Sequence, residues 1–199
     1  MAVLSKRKEE TAEQRRGAQA SFVAATLELL AEGSSYADLS VEQISSRAGR
    51  TRTAFYFYFR DKRDLLMRAT EQVAESLYEE ADRWWSGEEG REGLRAGLEG
   101  ILVTYRDHAP LLRAVVEAST YDDEIGSFWR GILGRFIEAS ERRIAAEGEI
   151  DEAAAHAKAF ALVWMTERTA YQQVVRGGRL DDRDLVDTLV EIWERAVYG

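Results

Sequence analysis

The feature that most limits the possible folds of this chain is its near lack of helix-breaking residues. Proline occurs once in 199 residues, at Pro110, and a proline inside a helix costs about 3 kcal/mol relative to alanine. Alternating runs of β-branched residues, which are typical of strands, are scarce, whereas Ala, Leu, Glu and Arg are abundant. The sequence therefore predicts an all-α protein.

The residues that usually carry catalysis are sparse. The chain has no cysteine and only two histidines, which excludes disulfides and thiolate zinc sites and argues against a histidine metal cage. No Gly-x-Ser-x-Gly elbow, phosphate loop or cofactor fingerprint is present. His108, beside Asp107 and Pro110, is more typical of a loop than of a general base. An enzyme is the main rival class, but we expect a non-enzyme with no metal and no cofactor.

Targeting signals are also missing from the sequence. No apolar run approaches the roughly 18 residues that span a bilayer, and residues 1–11 lack the apolar core of a signal peptide. The expected localisation is cytoplasmic, with no membrane partner.

The charge is unevenly distributed. The chain carries a net charge of −9, which divides into +3 for residues 1–68 and −12 for residues 69–199. A weakly basic N-terminal part can approach phosphate, while an acidic remainder discourages indiscriminate binding to nucleic acid. The distribution indicates two parts with different partners.

Three domains are predicted from the pattern. Residues 1–16 carry five basic side chains and no apolar face, and are interpreted as a mobile basic arm. Residues 17–68 begin with a helix that ends near Gly33, and residues 69–199 are expected to form a larger helical body. About nine helices are expected in total. The first helix has an apolar stripe at helical spacing: Ala18, Phe22, Ala25 and Leu29.

Two short helices follow. Ser40 and Gln43 have the spacing of a capping box, so a helix begins after Ser40. Gly49 suits a tight turn, and Thr51 can cap a second helix that runs to about Phe57. Two short helices joined by a glycine turn form a helix-turn-helix.

The second of these helices is the candidate DNA reader. In a helix-turn-helix its first residues face base edges in the major groove, which singles out Thr51, Arg52 and Thr53. Arg52 could bind a guanine through two hydrogen bonds, and the threonines could offer hydroxyl or methyl contacts.

Residues 39–69 read LSVEQISSRAGRTRTAFYFYFRDKRDLLMRA, and this segment resembles the DNA-binding domain of the TetR family of transcriptional repressors. The resemblance implies phosphate contacts for Tyr56 and Tyr58. It also implies one for Lys62, where the charge and a helix N-terminus both favour phosphate. The features that match, in order, are a small cap residue, Ile44, Ala48-Gly49, the aromatic run 55–59, Lys62 and Leu65-Leu66.

Some residues around this motif have more than one interpretation. Arg47 and Arg63 could contact phosphate or lie on a solvated face. Arg50 stands where the family usually has an apolar residue, so either the turn packs differently or Arg50 itself reaches DNA. The phenylalanines of the aromatic run are expected to lie in the core rather than on DNA: Phe55, Phe57 and Phe59.

The body shows features of a dimer. Asp61 is expected to cap a helix that connects to the body, and Asp151 caps a helix with six alanines between residues 153 and 161. The last helix, after Asp181, has two adjacent apolar stripes, Leu185, Leu189, Ile192, Ala196 and Val186, Val190, Trp193, Val197. So wide an apolar arc predicts a homodimer through the last two helices.

Two segments of the body, MTERT at 165–169 and DTLVEIW at 187–193, are similar to a mycobacterial member of the family. That member binds apolar ligands in a mostly aromatic tunnel, and the ligands disable DNA binding. Thr166 replaces an amide side chain of that tunnel, and Leu94 and Ile101 replace bulkier aromatics, so a different ligand is expected. Glu167 could be a polar contact for the ligand or an ion-pair partner of Arg168. By this resemblance the ligand-binding residues are Leu94, Gly97, Ile101, Tyr105, Trp129, Leu133, Phe136, Met165, Thr166, Glu167 and Trp193.

The function implied is a ligand-responsive repressor that binds double-stranded operator DNA as a homodimer and is released by a small apolar or aromatic effector. The alternative is a ligand-independent or architectural DNA-binding dimer with a filled core.

Overall fold

The computed structural model describes residues 2–87, 90–147 and 150–199, with the backbone alone for residues 2–14. These residues form helices connected by short loops, with no strand among them, so the predicted all-α fold with about nine helices is confirmed. A π-helical turn, Tyr171–Val175, follows the eighth helix. The α-helices are α1 Ala2–Ala31, α2 Val41–Arg47, α3 Arg52–Tyr58, α4 Lys62–Trp85, α5 Gly90–Asp107, α6 Ala109–Ala118, α7 Asp123–Glu147, α8 Glu152–Ala170 and α9 Asp182–Tyr198.

The chain divides into two compact units, Met1–Ala69 and Thr70–Gly199. This division lies one residue beyond the boundary expected from the sequence. Helix α4 contributes its first two turns to the first unit and the rest to the second.

The segment expected to be an arm has a helical backbone. Helix α1 begins at Ala2, so the backbone of residues 2–16 is continuous with the first helix of the first unit. Ala, Glu, Lys and Arg all favour helix, and a helix needs no apolar face to propagate from a stable neighbour. The mobility of residues 1–16 stays a prediction.

The helix starts that were predicted from single residues have the predicted caps. The Ser40 hydroxyl accepts a hydrogen bond from the Gln43 backbone N–H, and the Gln43 side chain accepts one from the Ser40 backbone N–H, which completes the capping box. Such a cap contributes about 1 kcal/mol. Side-chain oxygens accept from first-turn N–H groups in the same way at Thr51, Asp61, Asp151 and Asp181.

The core of the first unit is aromatic. Phe22 on α1 is fully buried and meets Phe55 edge-on, with ring centroids 5.4 Å apart. The Phe59 ring also packs against the Phe22 ring, with centroids 6.1 Å apart. Phe57, by contrast, is 65% exposed, so the expectation that it lies in the core is wrong. Residues 55 and 59 are about one helical turn apart, whereas Phe57 lies about 200° around α3 from Phe55.

The second unit packs α7 mainly against α8 and α5 mainly against α9. Ala155 and Ala159 on α8 are fully buried, and such small side chains allow a neighbouring helix to approach closely. Gly97 serves the same purpose on α5, because a Cβ there would lie 2.9 Å from the Glu80 carbonyl oxygen of α4. Helix α5 therefore packs closely against α4, and α8 packs closely against its neighbouring helix.

The two apolar stripes of α9 are largely covered within one chain. Helices α5, α7 and α8 all contact α9, and only Ile192 among the large stripe residues is well exposed, at 40%. The stripes alone therefore do not require a second subunit, although Ile192 remains exposed for one. In addition, none of the helices in the described ranges is long and apolar enough to cross a membrane.

Candidate DNA-reading helix and ligand cavity

The turn between α2 and α3 has the geometry that a helix-turn-helix requires. Gly49 has a φ of 63°, a left-handed conformation that favours glycine. The Thr51 hydroxyl accepts a hydrogen bond of 3.1 Å from the Ala54 backbone N–H. Thr51, one of the predicted readers, therefore caps α3, although its hydroxyl hydrogen can still be donated.

The free face of α3 carries the other predicted readers. Arg52, Thr53 and Tyr56 are exposed. The Arg52 guanidinium lies over the Tyr56 ring, 5.6 Å from its centroid, and donates to the Tyr56 hydroxyl at 3.4 Å. Tyr58 is half-buried, with its ring 6.3 Å from that of Phe22. The α3 surface thus presents a guanidinium and hydroxyl groups to solvent, which are suitable for base edges and phosphates.

Arginines near this helix have partners within the first unit. The Arg50 Nε donates to the Ser21 hydroxyl of α1 at 2.7 Å, which agrees with a differently packed turn. Arg47 forms a two-pronged ion pair with Glu32, and Arg63 pairs with Asp61. These contacts favour a structural or solvated role over DNA contact for each arginine.

The Lys62 ammonium forms hydrogen bonds within the first unit. Its ammonium donates to the backbone carbonyls of Tyr36, Ala37 and Leu39 at 3.1, 2.9 and 2.8 Å. Burial lowers the pKa of Lys62 below its usual value. Three carbonyls use all three ammonium hydrogens, so this geometry favours a clamp on the loop between α1 and α2 over the predicted phosphate contact.

The second unit contains a narrow apolar cavity. Its volume is about 80 Å³. Ten of the eleven predicted ligand-binding residues line it, and the half-buried Met165 does not. The ten are Leu94, Gly97, Ile101, Tyr105, Trp129, Leu133, Phe136, Thr166, Glu167 and Trp193.

One wall of the cavity was missed by sequence reasoning. Helix α4 contributes four residues at helical spacing, and that spacing was a signal that could have identified them. The remaining missed residues are neighbours of predicted ones on α5, α7 and α8. The missed residues are Leu77, Ala81, Trp84, Trp85, Leu98, Ile132, Ser140 and Val163.

Most polar side chains of the cavity wall have internal partners. The Thr166 hydroxyl donates to the Leu162 carbonyl and accepts from the Trp193 indole N–H, both at 2.9 Å. The Trp85 indole donates to the Ser140 hydroxyl at 3.1 Å. Thr166 therefore orients Trp193 instead of offering a free polar group to a ligand.

Glu167 differs from these side chains. It is 5% exposed, and neither carboxylate oxygen has a hydrogen-bond partner among the described residues. The Arg168 Nε lies 3.7 Å from one oxygen, which is too long for a hydrogen bond. Burial raises the pKa of the Glu167 carboxyl above its usual range and raises that of the nearby Tyr105 hydroxyl as well. The wall therefore includes a buried carboxyl group with unused hydrogen-bonding capacity.

A glycine turn, an exposed reading helix and a separate helical unit with a cavity define a helix-turn-helix DNA-binding regulator. Residues 22–69 match the family model described as bacterial regulatory proteins, tetR family, and residues 94–199 match that of the transcriptional regulator EthR, C-terminal domain. The chain belongs to the TetR family. It is a DNA-binding transcriptional regulator and not an enzyme.

Relatives support this assignment over most of the chain. The HTH-type transcriptional regulator EthR of Mycolicibacterium smegmatis is 30% identical over 186 residues, covering 89% of this chain and 85% of the relative. EthR of Mycobacterium tuberculosis is 30% identical over 187 residues, covering 89% and 86%. The predicted resemblance to a mycobacterial member is thereby confirmed.

Solved structures share the fold. A TetR-family transcriptional regulator from Syntrophomonas wolfei superimposes with a TM-score of 0.76 at 15% identity, over 92% of this chain and 96% of that one. A TetR-like regulator from Rhodococcus sp. RHA1 gives a TM-score of 0.69 at 20% identity, with the same coverage.

Proposed function

We propose that this protein is a repressor that binds operator DNA as a homodimer and is released by a small, largely apolar effector. The observation that carries the proposal is the apolar cavity in a chain that also presents the DNA-reading helix α3. Apolar cavities with few polar groups are typical of ligand sites. Because its proposed partner is operator DNA, the protein is proposed to act in the bacterial cytoplasm, which is the localisation expected from the sequence.

For DNA, the proposed base readers are Arg52 and Thr53, with Tyr56 and Tyr58 on phosphates. Their exposure and the phosphate preference of hydroxyl groups support these roles. Thr51 is proposed to support these residues as the N-cap of α3. Lys62 is proposed to support them by holding the loop between α1 and α2. An arginine lost from a base contact costs about 1–3 kcal/mol in binding.

The test is an anisotropy titration on DNA from the intergenic region beside the protein's own gene. Arg52→Ala is expected to weaken specific binding about tenfold or more. The matched control is Arg142→Ala, which removes an exposed arginine from α7 in the second unit. Wild-type binding by Arg52→Ala would contradict the assignment of α3 as the reader.

The homodimer is proposed to form through α8 and α9. Phe160 on α8 and Ile192 on α9 are 52% and 40% exposed, and exposed alanines flank Phe160 at 157 and 161. Sedimentation of Phe160→Asp is expected to show monomers. Val103→Asp, on α5 and 54% exposed in the wild type, is the control and is expected to leave the dimer intact.

The effector is proposed to act by population shift. The dimer holds two reading helices for half-sites about 34–36 Å apart or a multiple of that spacing. A ligand that favours another spacing reduces DNA affinity, and operator DNA must weaken ligand binding by the same factor, typically about 1–3 kcal/mol. Ligand affinity that saturating operator DNA leaves unchanged would contradict this mechanism. The presence of a cavity between the core side chains favours this proposal over a ligand-independent dimer with a filled core.

A further inference from the structure

We propose that the effector is a slender amphiphile with a protonated amine, and that the Glu167 carboxylate binds this amine. The inference rests on the proposed function, because it assigns the ligand class of the same cavity. It adds a cationic group to the apolar or aromatic effector expected from the sequence.

The first step is the distribution of hydrogen bonds in the cavity wall. The indole N–H groups of Trp84, Trp85 and Trp193 are donated to Tyr198, Ser140 and Thr166. The Thr166 hydroxyl hydrogen goes to the Leu162 carbonyl. Among the described residues, neither these donors nor any other forms a hydrogen bond to a Glu167 oxygen, so both oxygens remain able to accept hydrogen bonds from a molecule bound in the cavity.

The second step is the energy of the carboxylate. An ionised carboxylate away from water is strongly destabilising unless it is paired and hydrogen-bonded. Arg168 lies 3.7 Å away and its side chain is 51% exposed, whereas that of Glu167 is 3% exposed, so solvent screens much of this attraction. An ammonium group inside the cavity would supply both charge and short hydrogen bonds. A ligand that ends in a carboxylate would instead be repelled.

The third step is the shape and field around the site. The cavity volume is only about 80 Å³, which favours a thin alkyl or phenylalkyl body over a bulky one. Trp84 and Trp193 meet edge-on, with centroids 5.2 Å apart, and the aromatic wall suits such a body. The net charge of −12 on residues 69–199 also attracts cations in preference to anions.

Three probes of nearly equal shape test the inference by calorimetry on the full-length protein at pH 7: 4-phenylbutylamine, pentylbenzene and 5-phenylpentanoate. We expect the amine to bind about tenfold or more tightly than pentylbenzene, and 5-phenylpentanoate to bind more weakly than either. Glu167→Gln keeps the side-chain size and is expected to abolish the preference for the amine. Glu138→Gln, an exposed position on α7, is expected to keep it.

The outcomes separate the two proposals. If pentylbenzene binds as tightly as the amine, or if the preference persists in Glu167→Gln, the inference is overturned and the apolar effector cavity stands. If none of the probes binds, the proposed ligand cavity fails together with the inference. The comparison of probes on the wild type decides the inference even if Glu167→Gln does not fold.

Discussion

The two units of the molecule differ in the packing of their interiors. In the first unit, Phe22 fills the core beneath α3, and the Lys62 ammonium is used by three carbonyls. In the second unit, a cavity remains between aromatic side chains, and the buried Glu167 has no hydrogen-bond partner in the part of the chain that the structure describes. A surface that reads DNA requires a rigid support, whereas a site for a small molecule requires space and unused polar groups. The packing of each unit therefore agrees with its proposed role.

The largest effect is expected from Phe22→Ala. A fully buried phenylalanine replaced by alanine costs about 3–5 kcal/mol, which should unfold or severely weaken the first unit. All five tryptophans follow residue 69, so tryptophan fluorescence reports the second unit, while circular dichroism reports both. We expect an early transition by circular dichroism that fluorescence does not follow. The control is Phe57→Ala, which removes an exposed ring and should change stability by less than about 0.5 kcal/mol.

Overpacking is expected to distinguish a filled core from an open one. Ile44 in the first unit is fully buried, and Ile44→Phe should cost about 1–3 kcal/mol. Ile101 lines the cavity, so Ile101→Phe should cost less than about 1 kcal/mol, because the added ring has space to occupy. Urea unfolding measures both variants. Equal costs would mean that the cavity is not usable space and would remove the contrast between the units.

The structural role of Lys62 is expected to appear as a loss of stability. Lys62→Met removes three hydrogen bonds from a half-buried ammonium and should cost about 1–2 kcal/mol of unfolding free energy. If the ammonium does not contact phosphate, the slope of operator affinity against salt concentration should stay unchanged. A slope reduced by about 0.9 would instead indicate one lost phosphate contact and would restore the role predicted from the sequence.

The smallest expected effect is a pH dependence that belongs to the second unit. Burial raises the pKa of Glu167 above its unfolded value, so between the two values the folded state binds more protons. Stability of the ligand-free protein therefore decreases as the pH rises above about 4.5, until Glu167 is ionised in the folded state. Arg168 and Tyr105 are its nearest ionisable neighbours in the described structure.

Glu167→Gln should remove the contribution of this residue to the pH dependence of stability. Urea unfolding of the two proteins between pH 4 and pH 8 measures it, and the variant should gain stability relative to the wild type as the pH rises. A constant difference across this range would show that Glu167 keeps an ordinary pKa. It would also weaken the contrast between the filled aromatic core of the first unit and the buried carboxyl group in the cavity of the second.

Sequence reasoning succeeded where the interactions are local. The capping residues Ser40, Thr51 and Asp151 were predicted because a cap bonds to an amide two or three residues away. Phe57 was assigned to the core in error, because the aromatic run was treated as one group although α3 places alternate residues on different faces. The helical spacing of the α4 cavity residues indicated an apolar face, but which helices that face meets, α7 at Ser140 and α9 at Trp193, follows only from the tertiary structure.

The sequence by itself determined the all-α class, the helix starts, the glycine turn at Gly49 and the position of the reading helix, because these depend on backbone preferences and on bonds within one turn. Only the tertiary structure decided that Lys62 clamps a loop, that the Thr166 hydroxyl accepts from Trp193 and that no described residue forms a hydrogen bond with Glu167. Each of these facts depends on which side chains from distant segments meet, and on which hydrogen bonds remain unmade after they have packed.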